Sequence, residues 1–162
     1  MAFASYSEAV IKLRRYINDI AQLNTLDREM ESTDDELEDA IKDALIEINT
    51  SYEPKTGWAL ANIIVEPTDT NGAVPWTLVK LGAVLQLLTA KGILSARNAI
   101  SYSDAGGVSV SEMDKWGRYL NYFNTLAAQY ERKLIQVKTR ENIQQIWGGG
   151  TASPMGFDYY YG

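Results

Sequence analysis

The chain has 162 residues, a formal net charge of −6, and neither cysteine nor histidine. Without these residue types it can form no disulfide, no thiolate or histidine metal site, and no Ser-His-Asp or Cys-His catalytic set. Chemistry based on Asp, Glu, Lys or Tyr stays possible. A chain with this acidic balance is also a poor candidate for binding nucleic acid through its phosphates, because such binding needs a Lys/Arg surface.

The first predicted helix covers residues 7–23, where apolar residues recur at three- and four-residue steps. Ser5 or Ser7 can cap its start, Glu8 follows where the helix dipole favours an anion, and Asn24-Thr25 should end it. The expected buried stripe is Val10, Leu13, Ile17, Ile20 and Ala21.

A second helix is predicted over residues 33–48, with Ser32 or Thr33 as its cap. The acidic run at residues 34–39 could be interpreted as a Mg²⁺ cluster. We favour a solvated helix start whose acids compensate the dipole. Its predicted core stripe is Leu37, Ile41, Leu45 and Ile48.

Residues 50–75 are predicted to be irregular because proline and glycine interrupt them repeatedly. Residues 58–65, WALANIIV, are too few for periodicity to distinguish a strand from helical turns. A calcium loop around residues 69–72 is excluded, since Pro67 and Leu78 would occupy its first and twelfth ligand positions.

The third predicted helix begins at Pro75 and ends near Lys91-Gly92. It is apolar on nearly every face, which is typical of a helix at the centre of a bundle or between subunits. Lys80, Gln86 and Lys91 interrupt the apolar segment, so we do not expect a membrane span.

The stretch YSDAGGVSVSEMDKW, residues 102–116, raises the question of a phosphate loop. No lysine follows Gly106-Gly107 at the spacing of a phosphate cradle. We therefore interpret Asp104 and the glycines as a structural turn, followed by an extended segment at residues 108–110 and a helix capped by Ser111.

The fourth predicted helix has the strongest periodicity in the chain, and a basic end near Lys138 is expected to close it. Its seam comprises Met113, Trp116, Leu120, Phe123, Ala127, Tyr130, Leu134 and Val137. A flanking apolar strip, made of Tyr119, Tyr122, Leu126 and Ile135, implies a second surface to cover. The residues predicted to pack against a neighbouring subunit are Trp116, Tyr119, Tyr122, Leu126 and Tyr130.

Residues 148–162 have no periodicity, yet they are rich in aromatic side chains, which anchor interfaces well. We predict a flexible arm that docks on a partner; the alternative is a terminus that is idle or folded back on its own bundle. The predicted docking residues are Trp147, Met155, Phe157, Tyr159, Tyr160 and Tyr161.

Together these elements predict an all-α fold: a four-helix bundle with a long C-terminal helix and an extended C-terminal arm. The bundle domain would cover residues 1–147 and the arm residues 148–162. No candidate catalytic set, cofactor site or metal site emerges, so we predict that the chain is not an enzyme.

The sequence resembles the head–tail connector, or neck adaptor, proteins of tailed bacteriophages. The resemblance rests on the acidic helix start STDDELEDA, the apolar helix PWTLVKLGAVLQLLTAKGIL, the turn YSDAGGVSVS and the long final helix with its tail. It covers residues 5–145 as a pattern and only the turn as a motif, in which Ala105 is an extra residue.

The resemblance implies a structural virion protein in the neck, assembled in the host cytoplasm as a ring, commonly of twelve copies. Its partners would be the portal protein above, a tail or head-closure protein below, and like subunits. Genomic DNA would pass through the ring without specific binding, since an acidic channel lining repels it. No membrane partner is implied.

Two other functions remain open from the sequence. One is a non-viral cytosolic helical bundle whose groove binds a partner helix. The other is a hydrolase that uses two carboxylates near a cleft.

Overall fold

Four α-helices make up most of the described chain, with two small strand pairs between them. The computed structural model describes residues 2–19, 32–65, 72–97, 102–103, 109–110 and 113–147, with side chains for 2–19, 32–65, 72–91 and 120–146. The helices are α1 (Tyr6–Ile17), α2 (Asp34–Thr50), α3 (Trp76–Arg97) and α4 (Met113–Trp147). The prediction of a mostly helical protein is confirmed.

The strands are short and lie beside the helices. A 3₁₀ turn at Leu60–Asn62 leads into β1 (Ile63–Ile64), which pairs in parallel with β2 (Val74–Pro75). The segment that periodicity could not assign therefore contains both a helical turn and a strand. β3 (Tyr102–Ser103) pairs antiparallel with β4 (Ser109–Val110), which confirms extended backbone just before α4.

Helix α1 begins as predicted and ends earlier than predicted. The Ser5 hydroxyl accepts a hydrogen bond from the Glu8 backbone N–H, which satisfies one of the free donors at the helix start. The helix stops at Ile17 because Asn18 adopts a left-handed conformation with φ 57°. The expected continuation to residue 23 is wrong: residue 19 is outside the helix, and residues 20–23 lie outside the described part.

A reciprocal capping box fixes the start of α2. The Thr33 hydroxyl accepts from the Glu36 N–H, and the Glu36 carboxylate accepts from the Thr33 N–H. Arg14 then ties α1 to this start, since it binds Asp19 at 2.8 Å and Asp34 at 2.7 Å. Asp34 therefore has a structural partner, and the acids around it form a solvated helix start as interpreted.

The core is built from side chains of α1, α2, α3, the β1–β2 pair and the second half of α4. The predicted α2 stripe is buried in full, and α3 contributes side chains from several of its faces. Phe3 packs edge-on against Trp76 with ring centroids 4.8 Å apart, which brings the N-terminal residues onto α3. The most deeply buried apolar residues include Leu13, Leu37, Ile41, Ile48, Ile63, Val74, Leu78 and Val79.

The predicted bounds of α3 and the predicted end of α4 are also wrong. Helix α3 starts at Trp76, since Pro75 belongs to β2, and it continues through Gly92 to Arg97. Helix α4 does not close at Lys138, because its 35 residues run on to Trp147. At 1.5 Å per residue α4 is about 50 Å long, and its final turns extend past the basic residues that were expected to end it.

Gly82 in α3 allows a close approach between α2, α3 and α4. A Cβ atom at this position would lie 3.0 Å from the Ala44 Cβ of α2 and 3.1 Å from a ring carbon of Tyr130 in α4. Three helices therefore meet at a point where only a glycine leaves room for the aromatic ring.

We expect Gly82→Ala to lower the free energy of unfolding by about 1–2 kcal/mol, because overpacking at a rigid contact outweighs the gain in helix propensity. Urea unfolding measures this change. Gly57→Ala is the matched control, since a Cβ there meets nothing within 4 Å. An Ala44→Gly change should cost less in the Gly82→Ala background than in the native chain. Equal stability of Gly82→Ala and Gly57→Ala would contradict the contact.

Candidate interaction surface

Helix α4 packs against the rest of the fold through one side of its second half. The predicted seam is correct for Tyr130, Leu134 and Val137, which are buried, but Leu120 is exposed. Phe123 and Ala127 are half-buried. The observed core side of α4 consists of Leu126, Tyr130, Leu134, Val137, Lys138 and Glu141.

The residues predicted to contact a neighbouring subunit lie in different environments. Leu126 and Tyr130 are buried in the chain's own core, at 6% and 5% exposure, so contacts within the chain already occupy them. Tyr122 is 60% exposed and open to a partner. Trp116 and Tyr119 belong to α4, but their side chains lie outside the described residues.

Of the predicted docking residues, only the backbone of Trp147 belongs to the described part of the chain. Trp147 is the last residue of α4. Met155, Phe157, Tyr159, Tyr160 and Tyr161 all lie outside the described residues.

An apolar surface that the sequence analysis did not assign lies on the far side of α4. Ile135, Ile143 and Ile146 are all exposed. At about 100° per residue, they centre roughly opposite the core side of the helix. We call these three residues the outer face. Only Ile135 had been noted as a flanking apolar residue, because the seam was expected to stop before the other two.

Lys138 is the largest fully buried side chain in the described chain, with 1% exposure. Its ammonium donates to the Pro54 carbonyl at 2.9 Å, to the Thr56 hydroxyl at 3.0 Å and to the Asn49 carbonyl at 3.4 Å. It also lies 5.2 Å from the centre of the Trp58 ring. Three acceptors match its three N–H donors, so Lys138 fixes the segment after α2 onto α4.

The Asn49 side chain completes this anchor. Its Oδ1 atom accepts from the Trp58 N–H and the Thr56 hydroxyl, and its Nδ2 atom donates to the Trp58 carbonyl.

Burial, with a smaller effect from Lys55, lowers the pKa of Lys138 below its ordinary value. The sequence predicts only a basic helix end at Lys138, because a lone lysine carries no signal of its acceptors.

A cleft of about 380 Å³ opens beside this anchor, where the end of α2 faces α3 and α4. Glu47 accepts a hydrogen bond from the Gln86 amide at 2.9 Å, and Glu131 accepts one from the Tyr52 hydroxyl at 3.1 Å. The remaining lining is mostly apolar or hydroxylic: Ser51, Leu85, Thr89, Phe123, Ala127, Tyr130 and Leu134.

Two features of the cleft are energetically costly. The Tyr130 hydroxyl is buried without a hydrogen-bond partner among the described residues. Burial, followed by the nearby Glu47 carboxylate, raises the pKa of Tyr130 well above its usual range. Tyr52 holds a left-handed backbone with φ 55°, which is uncommon for an aromatic residue.

Within the described ranges, no group of three or more carboxylates is arranged to hold a metal ion. Nor does any described helix combine the length and hydropathy needed to cross a bilayer.

Comparison of the chain with models of known families, with curated proteins and with solved structures finds no match.

We expect Lys138→Met to lower the free energy of unfolding by about 2–4 kcal/mol, because three buried oxygen acceptors lose their donor. Lys133→Met on the same helix is the control and should change stability by about 0.5 kcal/mol or less. Denaturant unfolding of both variants gives the comparison. Similar losses in the two variants would show that Lys138 does not anchor the segment.

Tyr130 should make the fold sensitive to alkaline pH. The folded protein holds the phenol proton more tightly than the unfolded chain, whose tyrosines ionise at their ordinary pKa of 10.0. Stability that is fully present below pH 10 is therefore lost as pH rises from that value toward the raised pKa. The native chain should lose up to about 1.4 kcal/mol more per pH unit than Tyr130→Phe. Urea unfolding from pH 8 to 11 gives the free energy of unfolding of the native chain and of Tyr130→Phe. The same pH dependence in the two proteins would contradict a raised pKa at Tyr130.

Proposed function

We propose that this chain is a structural subunit of a tailed-bacteriophage neck, forming an adaptor ring that joins the portal of the head to the tail. In this proposal the four helices form the bundle of one subunit, and residues 148–162 extend to dock on the portal protein. A tail or head-closure protein lies below the ring. The subunit has no enzyme activity and acts through its surfaces.

The observation that carries an interaction role is the outer face of α4. The other side of the same helix already packs on the core, so the isoleucines are not needed to hold α4 in place. Exposed apolar residues grouped on one side of a helix mark a surface that another protein covers.

The position of this face supports, in particular, the proposal that the arm, residues 148–162, docks on a partner. Ile143 and Ile146 lie in the last turns of α4, immediately before Trp147 and the aromatic residues of 148–162. One partner surface could therefore cover the end of the helix and the segment that follows it. Aromatic and isoleucine side chains together supply the apolar area that such an interface buries.

The charge of the subunit suits a ring around DNA. The chain has 21 acidic and 15 basic side chains, and the acids at the start of α2 are largely exposed. Negative side chains facing a channel repel the phosphate backbone, which favours passage over binding. Which exposed acids face the channel depends on how the subunits assemble.

The proposal can be tested by co-expressing the chain with the portal protein of the same virus and measuring how much portal copurifies. Deletion of residues 148–162 should leave the helical circular dichroism signal in place and reduce copurification by about tenfold or more. Ile143→Ser should also reduce copurification of the portal protein. Ile11→Ser is the matched control, because Ile11 on α1 is exposed to a similar degree.

Undiminished copurification with the truncated chain would overturn the docking role. If the chain does not associate with the portal protein but binds a cytosolic protein through Ile143, the interaction module becomes the better account.

A further inference from the structure

We propose that the cleft between α2, α3 and α4 binds an arginine side chain presented by a partner polypeptide. The inference deepens the interaction role, since it rests on the outer face of α4 being a protein interface. It does not depend on the partner being a portal protein.

The two carboxylates of the cleft favour a cationic ligand. Glu47 and Glu131 both line it, and each has a neutral group as its hydrogen-bond donor. No lysine or arginine among the described residues forms an ion pair with either carboxylate. Two carboxylates on the walls of a partly desolvated cleft attract a positive group, and a guanidinium can bind them with several N–H donors at once.

A separate observation points to a missing polar ligand. Tyr130 is 5% exposed, lines the cleft, and has a buried hydroxyl without a hydrogen-bond partner among the described residues. The Glu47 carboxylate lies close enough to raise the pKa of Tyr130, so a ligand N–H that bridges the two groups would give the buried hydroxyl oxygen a donor. The hydroxyl can accept from the ligand and donate to the carboxylate.

The rest of the lining fits the stem and plane of arginine. Leu85, Ala127 and Leu134 offer an aliphatic wall for methylene groups, and the half-buried Phe123 offers a ring surface on which a guanidinium stacks. The volume of about 380 Å³ lies in the range of ligand sites, roughly 300–1,000 Å³.

Tyr52 lines the cleft at a conformational cost. Its left-handed backbone follows the end of α2, and its hydroxyl reaches Glu131 on α4. Lys138 binds the Asn49 and Pro54 carbonyls on either side of Tyr52, and the Tyr52 hydroxyl donates to the exposed Glu131 carboxylate at the cleft edge. Backbone strain of this kind is concentrated at binding sites.

The surroundings favour a polypeptide as the source of the arginine. Ile135 is one turn after Glu131 and about 40° around α4, so the cleft edge continues into the outer face. Tyr52 is also exposed at this edge. A chain lying on the outer face can place one side chain into the cleft, whereas a free small cation would leave the apolar rim uncovered.

The test is a nuclear magnetic resonance titration of the isotope-labelled chain with two capped pentapeptides, each with one central residue flanked by alanine and glycine. One carries arginine and the other carries citrulline, its neutral isostere. We expect the arginine peptide to bind at least about tenfold more tightly, with shifts at Leu85, Ala127 and Leu134. Equal affinities, or shifts confined to other residues, would overturn the proposal.

Three variants and agmatine, a free guanidinium compound, test which residues bind the arginine and whether a polypeptide must present it. Glu131→Gln and Tyr130→Phe should each weaken arginine-peptide binding by about fivefold or more, while Asp35→Asn, an equal charge change in the first turn of α2, should leave it unchanged. Agmatine supplies the same guanidinium without a polypeptide. Agmatine binding with undetectable peptide binding would overturn the polypeptide source. Loss of portal copurification with intact peptide binding would contradict only the phage role.

Discussion

The buried ammonium of Lys138 is the interaction on which the shape of the interaction surface depends. It binds oxygen atoms of Asn49, Pro54 and Thr56, so the irregular segment after α2 is held against α4 over a sequence separation of more than 80 residues. Placing a charge in the core is costly unless hydrogen bonds compensate it, and here every N–H has an acceptor. Because this segment also carries Ser51 and Tyr52, the same ammonium sets one wall of the cleft.

The helices could be predicted from sequence where apolar period and capping residues agreed. In α2, the Thr33 box and the Leu37–Ile48 stripe specify the same helix, and the structure has it within two residues. The ends of α1 and α3 were not predicted correctly: α1 ends at the left-handed backbone conformation of Asn18, and α3 continues past Gly92, where glycine was expected to end it. Local propensity is a weak guide where tertiary contacts decide.

The candidate site was less predictable than the fold. Lys138, Glu47 and Glu131 are ordinary charged residues of helices, and their significance appears only when three helices and one irregular segment converge. Leu126 shows the reverse error: it had the spacing of a second apolar strip, but the orientation of α4 turns it into the core. A strip predicted from period alone does not say which side of a helix the protein itself will cover.

Helix α4 therefore has two apolar sides with different physical roles. One side closes the core together with Gly82 and Lys138, and the other exposes Ile135, Ile143 and Ile146, on which the proposed function places a neighbouring chain. The most direct measurement is electron cryomicroscopy of the assembled phage neck at side-chain resolution. The account predicts a ring of this subunit beneath the portal, with the three isoleucines buried against another chain. A neck that lacks this subunit, or a ring in which those side chains face solvent, would contradict it.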